Sequence, residues 1–511
     1  MIQKLPENYD ACYTSKEYGF RIKSTITRFV NQNGYGFQDN PLNNYLYAPI
    51  LNHCLLMTAA NPLGHAPIKT LFFQYYGPAV ISLLSSTIHQ VINGIILGKQ
   101  VGKDGLAAVG LYGPVVIVLV ALSLPIMIGG GVLISKSIGA ADFDNVQQVF
   151  QFSTTLVLLL GGSIALTAPM AAKPLAEFLA GRGNSVLAEN TADYAFWQLL
   201  SLPFFFLGMI WGNFVRAGGS PKVSRNASIL AASVNIILDL ILVVGYNQGV
   251  KGASLATSAA FLSGSAYLFI FILKGNTHYS FASFRFTLRL WQWKEFLKVG
   301  MPSFASEIAF SSGLLLINQS LIKYGSSAVA AFGLINYLSF ILIRPFTAAM
   351  IAVMPIISFN VGAKNPQRVL EIFRFALGFT MMLGIAVTLA GWLMSDILVH
   401  LFSGEHSVGS RKIASQAMGL YFLMFLAAGP NYILAAFLQN TGKTTLAMII
   451  NLMKGFLLIL PALLTLPLYL GLSGVWLSRS LAEIVTFIVV GAYTWYYRTQ
   501  YFADKAMVPD A

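Results

Sequence analysis

The chain has 511 residues, of which 56% are hydrophobic and only 10% charged. A soluble domain carries about 25% charged residues, so most of this chain is excluded from facing water. The formal net charge of +13 invites a nucleic-acid partner, but the placement of the cations along the chain accounts for it without one.

Residues 1–70 read as an N-terminal cytoplasmic segment, polar and rich in Asn and Tyr, without the short apolar run of a signal peptide. Cys12 and Cys54, the two cysteines, both lie here; they are expected to be reduced, and they supply neither a metal cluster nor a redox pair to the core. Met57 opens a second plausible start just before the apolar core, so residues 1–56 read equally well as a mis-assigned start or as a polar tail.

Apolar stretches of about 20 residues or more follow, long enough to span a bilayer as helices. Twelve are predicted, the first at 72–97 and the last at 471–497. Six fall in an N-lobe (71–274) and six in a C-lobe (295–497), joined by a polar, hinge-like cytoplasmic linker (275–294) and followed by a tail (498–511). The predicted fold is an all-α polytopic membrane protein with two pseudo-symmetric six-helix lobes.

The symmetry rests on a repeat. Ala107-Ala108-Val109-Gly110-Leu111 returns 223 positions later as Ala330-Ala331-Phe332-Gly333-Leu334, and the same shift carries Ile134–Ala140 onto Ile357–Ala363. Duplicated helical halves around a central site are a recurrent plan for secondary transporters. Starting from a cytoplasmic N-terminus, 21 Lys/Arg fall in inner segments and eight in outer loops, the bias expected when both termini are cytoplasmic. A lipid bilayer is therefore an expected partner and nucleic acid is not.

A carboxylate at the centre of a membrane helix costs about 2.5–3.5 kcal/mol to insert, so each one needs a reason. Asn235 and Asp239 are four apart and share one helix face. Thr257 lies nine residues beyond Gln248, as Asp239 lies nine before it, which makes the two level in depth. Asn93 sits about 7 Å below the outer end of the first helix. One carboxylate, two amides and a hydroxyl suit a proton or a small hard cation such as Na⁺; a buried Asp satisfied by its neighbours reads equally well. In the second lobe, Glu307 with Arg344 and Lys454 with Glu483 are level across their hairpins, with Arg479 one turn from Glu483. These read as a paired structural network or as a second coupling or substrate site. His89 reads as a packed polar residue before a proton relay, and Gly129-Gly130-Gly131 as close helix packing rather than a phosphate cradle. Trp291, Trp293, Trp495, Tyr496 and Tyr497 read as interfacial anchors. No catalytic constellation and no metal-ligand spacing occur, so an enzyme is disfavoured and no cofactor is expected.

Several ordered blocks carry a resemblance over about residues 61–497. They include Asn61-Pro62-Leu63-Gly64, Gly77-Pro78, Arg216-Ala217-Gly218-Gly219-Ser220-Pro221-Lys222, Asn235–Asp239, Ser358–Lys364 and Gly471–Ser478. The chain resembles the MATE (multidrug and toxic compound extrusion) family, in its bacterial drug-efflux branch. The resemblance implies an antiporter of the bacterial inner membrane, expected as a monomer. It would expel small amphipathic, often cationic, organic compounds in exchange for inward H⁺ or Na⁺ by alternating access. The family's first-lobe cation set falls on Asn235, Asp239 and Thr257. Its first-helix acid falls on Asn93, so here one of two carboxylates is replaced. Pro78 falls where the family's first helix bends. Glu307 lies one turn before the acid of the sodium-coupled branch. A lipid-linked oligosaccharide flippase of the same superfamily is the alternative, kept open by Arg344, Lys454 and Arg479.

Overall fold

The computed structural model describes residues 61–181, 185–289, 293–402 and 408–496. Residues 1–65 and 66–511 are separate units. The described part of the first is one helical turn, Pro62–His65, entered through Asn61, whose Oδ1 accepts from the Leu63 N–H at 3.1 Å. Cys12, Cys54 and the start at Met57 lie outside the described residues.

The second unit is helical, with no strand among the described residues. Its first lobe contains α1 (Ile68–Gln100), α2 (Lys103–Gly139), α3 (Phe143–Ala180), α4 (Ser185–Leu200), α5 (Leu202–Ala217), α6 (Pro221–Asp239) and α7 (Gly249–Leu273), with a π turn, Leu240–Gly245, continuing α6. The second lobe contains α8 (Trp293–Ile322), α9 (Ser326–Leu342), α10 (Arg344–Gly362), α11 (Pro366–Leu393), α12 (Ser395–Phe402), α13 (Val408–Phe422) and α14 (Phe425–Asn440). It ends with α15 (Thr444–Leu452), a π turn at Met453–Leu457, α16 (Ile459–Leu470) and α17 (Leu472–Tyr496). Among the described residues, ten spans are straight enough to count as single crossings; α4–α5 and α13–α14, bent by 50° and 45°, bring the number to twelve. Leu166 (83% exposed), Phe178 (83%) and Tyr469 (86%) stand on the outside of the bundle, where lipid rather than water must cover such apolar side chains.

The 223-residue repeat is legible in the backbone. Ser201 and Met424 precede the second halves of the two bent spans. Asp142 starts α3 by accepting from the Asn145 N–H at 3.1 Å, and Asn365 starts α11 by accepting from the Arg368 N–H at 3.2 Å. Each such cap satisfies one orphan donor of a helix start. Ala141 (φ 58°) and Lys364 (φ 53°) sit just before them in the left-handed conformation, which ends the preceding helix and frees the chain to turn. Ser135 Oγ donates to Ala217 O at 3.1 Å, while its counterpart Ser358 bonds the side chain of Asn440, the counterpart of Ala217.

The lobes meet along the second half of α2. A Cβ on Gly139 would lie 2.0 Å from Phe359 O, and one on Gly362 would lie 1.9 Å from Lys136 O. The repeat exchanges these two contacts, so a pseudo-two-fold axis passes between them. Farther along, a Cβ on Gly129 would lie 2.3 Å from Phe296 O, which gives the glycine run its packing role. Lys136 closes the same end with an ion pair to Glu295 at 2.7 Å. By contrast, Leu106, Val116, Ile117 and Val118, in the first half of α2, are exposed. The lobes are thus in backbone contact where α2 ends, whereas a Cβ on Gly110 or Gly113, in its first half, would meet nothing within 4 Å.

The linker is not the free hinge that its polar composition suggests. Gln147 of α3 donates to Ser280 O and accepts from Ser280 N–H, both at 2.9 Å. Gln151 donates to Ser283 O at 2.7 Å, and the Thr287 N–H donates to Thr155 Oγ1 at 3.2 Å. The buried Tyr279 ring stacks on Phe150 at 4.5 Å. Residues 275–289 form a strap fastened to the first lobe, with α3 side chains satisfying backbone groups that a helix or sheet would otherwise pair. Of the expected anchors, Trp293 and Tyr496 are exposed at helix ends; Trp291, Tyr497 and the Trp495 side chain lie outside the described residues.

Candidate functional site: a polar pocket in the first lobe and a charged cavity between the lobes

Two polar regions interrupt the apolar interior. The first is built on α6, which packs between α1 and α7. Asn235 and Asp239 are fully buried, one turn apart. With its amide oriented to satisfy both sides, Asn235 donates from Nδ2 to Asp239 Oδ2 at 3.2 Å and accepts from Thr257 Oγ1 at 3.2 Å. Thr257 also stands within 3.0 Å of Ala253 O on its own helix. Asp239 Oδ1, Asn93 Oδ1 and the Tyr112 hydroxyl are buried and meet no hydrogen-bond partner among the described residues. Such orphaned acceptors are costly unless something else meets them, and oxygen acceptors suit a proton or a small cation. The structure joins three of the four expected residues directly; among the described residues no hydrogen bond ties Asn93 Oδ1 to them. Asp239 is the last α-helical residue before the π turn, a wide turn that frequently marks functional positions. His89 Nδ1 pairs with Ser85 O of its own helix at 3.2 Å, and Pro78 lies buried inside an α1 that runs unbroken from Ile68 to Gln100.

The second region is a cavity of about 310 Å³ bounded by both lobes. Glu307, Arg344, Lys454 and Glu483 all line it, as does Arg479. None of the first-lobe set does. None of the four forms an ion pair within 4.0 Å among the described residues, although Glu307 and Arg344, and likewise Glu483 and Lys454, are near enough to act on each other electrostatically. Equal depth across a hairpin does not fix the rotation of a side chain about its helix, and these groups are spread around a wall. Each cation rests instead on an aromatic face: Arg344 on Phe340 at 3.9 Å, Lys454 on Tyr432 at 3.7 Å and Arg479 on Phe310 at 4.9 Å. Glu483 Oε2 accepts from Asn431 Nδ2 at 2.7 Å. Arg216 also lines the cavity, from the first lobe, with Nη2 donating to Ser224 Oγ at 3.0 Å. Sequence reading counted Arg216 among loop cations, since it ends α5. It missed the aromatic supports because they come from other turns and helices.

Twelve spans in two duplicated lobes, with a charged cavity on their shared axis, define a membrane carrier. The MatE family model matches residues 78–241 and again 302–464, one copy per lobe. The chain belongs to the MatE family. It is 26% identical over 423 residues to the Multidrug export protein MepA of Staphylococcus aureus, covering 82% of this chain and 91% of that one. It is 27% identical over 435 residues to MepA of Staphylococcus haemolyticus, covering 84% and 94%. The fold is shared with a solved MOP superfamily transporter from Pyrococcus furiosus, at a TM-score of 0.80 and 22% identity, over 88% of this chain and 99% of that one. That transporter is described as having a binding pocket of reverse polarity that suggests a different function.

Proposed function

We propose that this chain is a secondary active exporter of small amphipathic organic compounds, working by alternating access in exchange for inward H⁺ or Na⁺. The observation that carries the reading is the symmetrical closure at Gly139 and Gly362 beside a cavity lined by both lobes. On the positive-inside rule both termini are cytoplasmic, the closed end faces the cytoplasm, and the cavity faces out of the inner membrane. The multidrug export proteins it resembles favour export over the flippase alternative.

Asp239 is the coupling carboxylate in this reading, with Asn235, Thr257 and Asn93 as its polar surroundings. A proton or cation arriving at Asp239 Oδ1 changes the Asp239–Asn235–Thr257 chain of hydrogen bonds. Bending of α1 at Pro78 then narrows the cleft and expels the substrate. Purified protein in proteoliposomes, given an imposed pH or Na⁺ gradient, should move dyes of at least one charge sign, ethidium or carboxyfluorescein, faster than protein-free vesicles. Equal rates with and without protein, for both dyes under both gradients, would sink the proposal.

A further inference from the structure

The charge balance of the cavity departs from what an exporter of organic cations needs. Four cations line it, Arg216, Arg344, Lys454 and Arg479, against two carboxylates, Glu307 and Glu483, a net charge of +2. A lipophilic cation entering this space would have to overcome that excess. The cations are also incompletely used. Lys454 (5% exposed) and Arg479 (4%) are buried, and Arg344 Nε, Arg479 Nε and Arg479 Nη1 meet no acceptor among the described residues. An aromatic face supports the positive charge but accepts none of these in-plane N–H groups. A guanidinium fork matches an anionic group with two or more oxygens, such as a carboxylate, sulfonate or phosphate. The opposite wall is different in kind: Met127, Ile128 and Val132 of α2 line it, and no first-lobe carboxylate does.

We infer that the cavity takes an amphiphile by an anionic group, held by Arg344, Arg479 and Lys454, with the apolar body of the compound against α2. Arg216 adds to the attraction from the first lobe. Glu307 and Glu483 limit it, so that the anion is held loosely enough to leave. The inference rests on the export reading only for why a ligand enters the cavity; the binding itself is separable. The anion is either the headgroup of a lipid or part of a soluble organic acid, two sources with one chemistry.

The test is fluorescence anisotropy on the purified full chain in uncharged detergent, with carboxyfluorescein and ethidium as probes. Carboxyfluorescein should bind about tenfold or more tightly than ethidium. Arg344→Gln and Arg479→Gln should each weaken carboxyfluorescein by about tenfold. Glu307→Gln should tighten it, which keeps the test decisive if an arginine variant fails to fold. Displacement by dioctanoyl phosphatidic acid but not by naphthalenesulfonate assigns the anion to a lipid headgroup, and the reverse assigns it to a soluble acid. Ethidium binding as tightly as carboxyfluorescein, or arginine variants that bind carboxyfluorescein like the unaltered chain, would overturn the inference. Ethidium expelled from proteoliposomes by a protein that does not bind carboxyfluorescein would leave export standing and remove the anion site. Binding without gradient-driven movement of either dye would do the reverse.

Discussion

Asp239 and Asn93 carry much of what is specific to this chain. A single buried carboxylate, with one oxygen bonded to Asn235 and the other unmet, offers one place for a proton or cation. Asn93 is neutral, so no second acid stands beside it to split the equilibrium into coupled steps. Gradient-driven export is therefore expected to follow one dominant titration with external pH, read as dye efflux from proteoliposomes. Asn93→Asp should broaden or shift that titration, and an unchanged profile would exclude Asn93 from the site. Asp239→Asn should abolish gradient-driven export, a loss of about 100-fold or more, while the protein still folds and inserts, since the amide removes a buried charge. Normal pH-dependent efflux by that variant would move coupling to Glu307.

At the scale of elements, the contact of α2 with α8 and α10 is the part that the proposed alternating access would open and close. Gly139 and Gly362 let the helices approach until a backbone oxygen occupies the space of a Cβ. Overpacking such a contact costs about 1–3 kcal/mol. Gly362→Val should therefore shift the population away from closure at this end, cytoplasmic in the proposed orientation, by about tenfold. Ser135 is fully buried beside this closure and lines the cavity. Thiol labelling of Ser135→Cys from the cytoplasmic side should speed up by a similar factor in the valine variant; an unchanged rate would mean that the glycines do not set the closure. The strap on α3 gives a second test. Gln147→Leu removes both bonds to Ser280, at about 1–3 kcal/mol, and amide exchange over residues 279–284 should accelerate. Unaltered exchange there would show that the strap is held by its aromatic side chains alone.

The same elements show which features were legible in the sequence. Span number was, because hydropathy is local, and the 223-residue shift was, because it preserves caps and bends such as Asp142 with Asn365. The Asn235–Asp239–Thr257 cluster was legible because helical spacing and depth place its members, and neighbouring spans bring them together. The strap was not. Residues 275–289 read as polar linker, and only their packing on Gln147, Gln151 and Phe150 reveals an anchored segment. The wall of the cavity was half legible: Glu307, Arg344, Lys454 and Glu483 were singled out by charge. Their directions were not, because depth along a span carries no azimuth and the π turn at Met453–Leu457 rotates the chain at Lys454.

For the whole molecule, pseudo-symmetry makes the central claim simple to state. Two lobes of one design are closed against each other at one end, and in the proposed cycle rocking about the axis between them would close the other end instead. Lys103 and Ser326 begin α2 and α9 on the side proposed to be open, are exposed, and exchange under the 223-residue shift. Spin labels on Lys103→Cys and Ser326→Cys, in a chain with Cys12 and Cys54 replaced, measure the width of that opening by pulsed electron resonance. Two distance populations are expected, with the shorter one growing when the pH is lowered or Na⁺ is added on the outer side. A single distance, unchanged by pH, Na⁺ or an added dye, would contradict alternating access by these lobes.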